Sequence, residues 1–214
     1  MTLSPQAALV AIDALRRHFA QRLAARRERP EIAAELAKVL ALLDTVDFSR
    51  IDAERLEASG HPVVTQLQAL PRVPSALARP TDAVLAAFLP HLDALPWRYS
   101  YAPRADAPDI GHRMAWAELV GPIAPFKSDE VCLGLTAIGP GLLYPAHRHP
   151  AVETYLVLHG TARWTTGQTT CPHPPGTLIL HPSNIVHAME AGDEPLLAAY
   201  AWTGDVHTLS EYLS

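Results

Sequence analysis

Residues 144 to 155, YPAHRHPAVETY, bring together His147, His149, Glu153, Tyr144 and Tyr155 around Pro145 and Pro150. Imidazole nitrogens combined with a carboxylate suit zinc, iron, manganese or nickel, and three or four such ligands facing a barrel interior leave coordination positions open for water or substrate. His147, His149, Glu153 and Tyr155 share parity, so on extended backbone their side chains point to one side of a sheet, although Pro150 interrupts that regularity. A further ligand has to come from elsewhere in the chain. His187, in the short β-like run NIVHAM, is the best candidate.

The elements that must position these residues change character along the chain. Ser4 followed by Pro5 forms a helix start, and Leu9, Ile12, Leu15, Phe19 and Leu23 follow at spacings of three and four, which predicts an amphipathic helix to about Ala25. Pro30 opens a second helix with Ile32, Leu36, Val39, Leu40 and Leu43 on its apolar side. Shorter helical pieces are expected around His61 to Leu70 and Thr81 to Leu89, separated by the stretch RVPSALARP. From about Met114 the runs MAWAELV, EVCLGLTAI, TYLVLHG, GTLILHP and LLAAYAWTG are short, rich in β-formers and punctuated by Gly and Pro. Many short strands in succession indicate a sandwich or small barrel of the jelly-roll kind. The reading is therefore a mainly β chain, with residues 1–100 a helical region packed on the barrel and residues 101–214 the barrel itself.

Composition excludes several other classes. A formal charge of −5 and a pI near 6.1 give no global field for nucleic acid or membranes. Six arginines between Arg16 and Arg29 read as a solvated helix face, since RRERPE lacks the turn into a recognition helix that a DNA-binding head needs. Cys132 and Cys171 lie in different candidate strands without CxxC spacing and read as ordinary buried thiols. The opening residues have no basic segment before their apolar part, and no apolar run is long enough to span a membrane, so a cytoplasmic protein is expected.

The spacing Gly141, His147, His149, Glu153, Gly160 resembles the first metal-binding motif of the cupin superfamily without a departure. Gly176, Pro182 and His187 resemble the second, with Asn184 where cupins usually have Gly and Ala191 where many have Asn. Asn tolerates the left-handed backbone that Gly would supply, so the turn survives. Within cupins the chain is similar to the dimethylsulfoniopropionate (DMSP) lyases of the Q and L types, through Tyr144-Pro145, His149-Pro150-Ala151, Glu153-Thr154-Tyr155, HPSNIVHAM at 181 to 189 and AYAWTGD at 199 to 205.

That resemblance implies a cupin jelly roll holding one divalent transition metal on His147, His149, Glu153 and His187, zinc or iron foremost, with manganese, cobalt or nickel as further candidates. It implies cleavage of DMSP to dimethyl sulfide and acrylate by β-elimination. Tyr155 would be the general base and Tyr144 an alternative base or substrate-positioning group. Trp202 and Tyr200 would face the sulfonium, and the helical half would close one mouth of the barrel. A monomer or homodimer is expected, with a small molecule as its partner. The ligand set alone also admits another metal-dependent cupin enzyme, such as an iron dioxygenase or an isomerase, or a non-catalytic ligand-sensing cupin. Trp164 reads as structural, and His159 and His181, at strand ends, as exposed or adjacent to the ligands.

Overall fold

The computed structural model describes residues 3–67, 70 and 81–213. The stretch RVPSALARP therefore lies outside the described residues. Helix α1 runs Pro5–Ala25, capped by the Ser4 side chain, which accepts from Ala7 N at 3.1 Å. It buries Ile12, Leu15 and Phe19, while Leu9 and Leu23 pack at the margin. Helix α2, Pro30–Leu43, buries Ile32, Leu36, Val39 and Leu43. The short α3, Val63–Leu67, and α4, Asp82–Phe88, follow, and a one-turn α5, Ile110–Arg113, leads into the strands.

Eleven strands then form two sheets: β1 Met114–Gly121, β2 Phe126–Lys127, β3 Val131–Ile138, β4 Leu143–Arg148, β5 Val152–His159, β6 Ala162–Thr166, β7 Thr169–His173, β8 Leu178–His181, β9 His187–Ala191, β10 Leu196–Thr203 and β11 Glu211–Tyr212. One sheet has the order β2-β1-β3-β10-β5-β8 and the other β11-β4-β9-β6-β7. Every pairing is antiparallel except β1 with β2. This is a double-sheet jelly roll.

Strand parity divides the core. Leu133, Leu135, Leu156, Leu158, Leu197 and Ala199 point outward from the six-stranded sheet and join the cluster built by α1 and α2. Their neighbours in sequence, among them Trp116, Tyr155, Val157, Tyr200 and Trp202, point into the space between the sheets. The helices thus cover the outer face of one sheet. Among the described residues the central cavity draws its lining from 98–102, the strands and the loops after β1 and β10, and none from α1 to α4, so that lining lends no support to the expected closure of a barrel mouth by the helices. The physical reason is that the apolar outer face of this sheet needs burial, and the apolar stripes of α1 and α2 supply it.

The basic side chains of the first helices are mostly paired: Arg16 with Asp44, Arg17 with Asp13, and Arg22 with Glu28. Arg22 also donates to Gly176 O at 2.7 Å, tying the end of α1 to the turn before β8. Cys132 is buried, but Cys171 is only half-buried on β7, a strand at a sheet edge, where its sulfur lies 3.3 Å from His173 Nε2. The expectation of two buried thiols is corrected at that position, because an edge strand has one flank without a neighbouring strand. No helix among the described residues is long and apolar enough to cross a membrane.

Candidate metal centre

Three strands converge on one point between the sheets. His149 follows the end of β4, Glu153 is on β5 and His187 opens β9, and one ligand atom from each lies within 4.8 Å of the others. All three side chains are buried. Glu153 Oε2 is ringed by His149 Nε2 at 3.1 Å, His181 Nδ1 at 3.2 Å and His187 Nε2 at 3.4 Å. Backbone carbonyls fix the other ring nitrogens: His149 Nδ1 lies 3.0 Å from Ala151 O and His187 Nδ1 2.9 Å from Ile185 O. With Nδ1 of each ring turned to a carbonyl, Nε2 is the nitrogen aimed at the centre, where a bound cation would take its lone pair.

His187 Nε2 is buried without a hydrogen-bond partner among the described residues. A buried nitrogen in that condition is costly unless something binds it. The Nε2 atoms of His149 and His187 with a carboxylate oxygen of Glu153 are a donor set for a divalent transition metal, so these residues fit the metal that the sequence motif implies.

His147, expected among the four ligands, sits beside this group rather than inside it. Its ring centroid is 4.0 Å from that of His187 but 6.4 Å from that of His149, and its Nδ1 lies 2.8 Å from Pro145 O. Strand β4 carries an irregularity between Tyr144 and His147, which brings both residues to the cavity despite their opposite parity and stacks the two rings at 3.9 Å. The left-handed turn expected at Asn184 is present, with φ of 60°.

Electrostatics follow from burial and crowding. Burial pushes the Glu153 carboxyl up, but the imidazoles of His149, His181 and His187 outweigh it and hold the group well below the usual carboxylate range. Burial, reinforced by His187, holds His147 well below the ordinary histidine value. The Tyr155 and Tyr144 phenols are both pushed well above the ordinary tyrosine value, first by burial. Tyr155 interacts with Thr136 and Glu153 through its side chain. The Tyr144 hydroxyl pairs with that of Tyr101 instead.

Trp202 and Tyr200 both line the cavity. Trp202 is more than a wall: its indole donates to Glu153 Oε1 at 2.6 Å and its ring stacks on His149 at 4.2 Å. Tyr200 stands opposite Tyr155 in the strand register, with ring centroids 6.4 Å apart. Of the two places the sequence left open for His181, exposed or beside the candidate ligands, it takes the second, while the tyrosine wall and the burial of His159 escaped the sequence reading. His181, fully buried, lies against Glu153, and Trp164 donates to His181 Nε2 at 3.2 Å. Tyr101 and Tyr212, with ring centroids 4.3 Å apart, extend the aromatic wall beyond Tyr144. His159 is also buried, its Nδ1 3.1 Å from Pro195 O. The doublet of tyrosines in RYSY was the visible signal for Tyr101; for His181 its position opening HPSNIVHAM was the hint.

A jelly roll with a buried histidine and glutamate centre opening into an aromatic cavity of about 570 Å³ is a cupin-type protein. The family model for dimethylsulfoniopropionate lyase matches residues 32–198, and the chain belongs to that family. It is 34% identical over 127 residues to dimethylsulfoniopropionate lyase DddQ of Ruegeria pomeroyi, covering 59% of this chain and 63% of that protein. It is 33% identical over 121 residues to the putative dimethylsulfoniopropionate lyase DddL of Cereibacter sphaeroides, covering 55% of this chain and 49% of that one. The match thus spans less than two thirds of either curated relative. Among solved structures, DddQ from Ruegeria pomeroyi superposes with a TM-score of 0.68 at 27% identity, over 94% of this chain and 96% of that one. A chain from the crystal structures of the DMSP lyases RdDddP and RnDddQII superposes with a TM-score of 0.76 over 99% of this chain and 100% of that one, and at 24% identity it speaks for the fold.

Proposed function

We propose that this protein is a metal-dependent lyase that cleaves DMSP to dimethyl sulfide and acrylate. The observation that carries this reading is the buried group of His149, Glu153 and His187 with Tyr155 beside it, opening into an aromatic cavity. Family membership supplies the substrate class.

His149, Glu153 and His187 would hold the metal, with His147 as an adjoining candidate ligand. A divalent ion there supplies positive charge, which favours a phenolate nearby and offsets the charge that grows beside the substrate carboxylate.

The remaining chemistry falls to the chain. Tyr155, as phenolate, takes the proton from the carbon next to the carboxylate. The electron pair of that C–H bond becomes the C=C bond of acrylate. The C–S bond breaks with its pair leaving on sulfur, so dimethyl sulfide departs neutral and needs no proton donor. Buried Tyr155 is otherwise held protonated, which ties its role as base to occupancy of the adjacent site. Tyr144, whose hydroxyl is committed to Tyr101, orients the substrate. Trp202 keeps Glu153 and His149 in register, and its ring forms part of the wall.

Metal-loaded protein should release dimethyl sulfide from DMSP. Tyr155→Phe should lower kcat by about 10²- to 10⁴-fold with metal content unchanged, the range for loss of a general base. Full activity in that variant would remove Tyr155 from the mechanism, and no release from folded, metal-occupied wild type would remove the lyase reading.

A further inference from the structure

The cavity contains a second carboxylate that the elimination does not use. Glu118 lies on β1, opposite Gly134 of β3, which in turn lies opposite Tyr200 of β10, and Tyr200 opposite Tyr155 of β5. Directly opposed residues of antiparallel strands face the same side. Glu118 and the two tyrosines therefore form one row across the inner face, and all three line the cavity. Gly134 makes the row continuous: a Cβ there would meet the Tyr200 ring at 2.8 and 2.9 Å, so the missing side chain is what lets that ring lie between Tyr155 and Glu118.

Glu118 is 7% exposed, and its surroundings satisfy it poorly: it accepts from Ile123 N at 3.2 Å and interacts with the Cys132 thiol. Arg98 and Lys127 act on it through their charges, yet neither forms an ion pair with it among the described residues. Burial of a carboxylate with so few partners is unfavourable for folding alone, and its place on a cavity wall gives it a ligand to meet.

We infer that Glu118 is the anionic counter-charge for the cationic end of the substrate, and so determines preference for a sulfonium zwitterion over a plain carboxylic acid. This rests on the lyase reading for the identity of the substrate. A cavity of about 570 Å³ is too large to grip a short zwitterion by shape at both ends. With the carboxylate end directed to the histidine and glutamate centre, the far end needs an attraction that acts across open space. Tyr200 and Trp202 offer ring faces to a cation, and Glu118 beyond Tyr200 offers a carboxylate at the same end of the row; burial raises the pKa of that carboxyl, and a cation in the cavity opposes the shift.

The test compares DMSP with isocaproate, its carbon isostere, which has the same shape and carboxylate but no positive charge. Binding is read by calorimetry on metal-loaded Tyr155→Phe protein, alone and combined with Glu118→Gln or Glu118→Asp. Release of dimethyl sulfide by wild type is measured in parallel. The parent should prefer DMSP by about tenfold or more, the scale of a unit charge roughly 10 Å away at an effective dielectric constant of about 20. Glu118→Gln should reduce that preference by about tenfold, to what the ring faces alone supply, while leaving isocaproate affinity unchanged, and Glu118→Asp should retain part of it. A preference undiminished in Glu118→Gln, or equal weakening of both ligands, overturns the role of Glu118; if wild type still releases dimethyl sulfide, the lyase reading stands. No release and no DMSP binding overturns both. No release with a preference that collapses in Glu118→Gln leaves the cation subsite standing without the lyase.

Discussion

At the residue scale, the carboxylate of Glu153 is held from two sides by indoles, directly by Trp202 and through His181 by Trp164. A tryptophan N–H can only donate, so His181 Nε2 accepts and its Nδ1–H donates to Glu153 Oε2. Burial, which lowers the His181 pKa to about 4, keeps the ring neutral and able to play both parts near neutral pH. His181→Phe should therefore weaken metal binding by about 10- to 100-fold, the usual cost of losing a group that orients a ligand, measured by competition with a chelator. Unchanged affinity would reduce His181 to packing. The close group of His149, Glu153 and His187 was legible because these candidate ligands stand at motif spacing in the sequence. The narrowing of four expected ligands to a close group of three was not, because the irregularity between Tyr144 and His147 breaks the parity on which such a reading depends. The tyrosine wall gives a second prediction at this scale. Burial raises Tyr101 to about 12. Between the unfolded value near 10 and that value, the unfolded chain has lost a proton that the folded chain keeps, so stability falls as pH rises through this window. The loss should be on the order of 2 kcal/mol for this group, visible as a falling melting temperature before phenolate absorbance appears.

At the element scale, the strand runs that stood out in the sequence are β1, β3, β5, β8 and β10, all in the six-stranded sheet. That sheet is covered by helices on one face and the other sheet on the other, so its strands read as continuous apolar segments. Strands β6 and β7 have exposed or half-exposed positions and polar residues, and they gave no such signal. The turns carry their own constraint. Gly160, between β5 and β6, has φ of +74° and a Cβ there would lie 2.5 Å from Pro195 O, whereas Gly141 has φ of +65° in open space. Gly141→Ala should cost only the left-handed strain, about 1–2 kcal/mol. Gly160→Ala adds a collision with backbone and should cost on the order of 3 kcal/mol or more, so its melting temperature should fall further. Equal shifts would mean that the β5–β6 turn yields freely and does not anchor Glu153 from its far end.

At the scale of the whole molecule, the helical region and the central cavity lie on opposite faces of one sheet. Leu36 of α2 is 0% exposed and belongs to the outer cluster, and Glu35 beside it reaches the Thr203 hydroxyl at the end of β10. The helices therefore act on the site through the sheet, by holding the strands that carry Glu153, Tyr155 and Trp202. Leu36→Ala removes a fully buried side chain and should cost about 2–5 kcal/mol, read by thermal or denaturant unfolding. At a temperature where the variant remains folded, its metal affinity and its KM for DMSP should match wild type, because no atom of α2 lines the cavity. A helical lid predicts the reverse, a changed KM with little loss of stability. The two measurements on one variant thus separate a buttress on the outer face from a gate over the mouth.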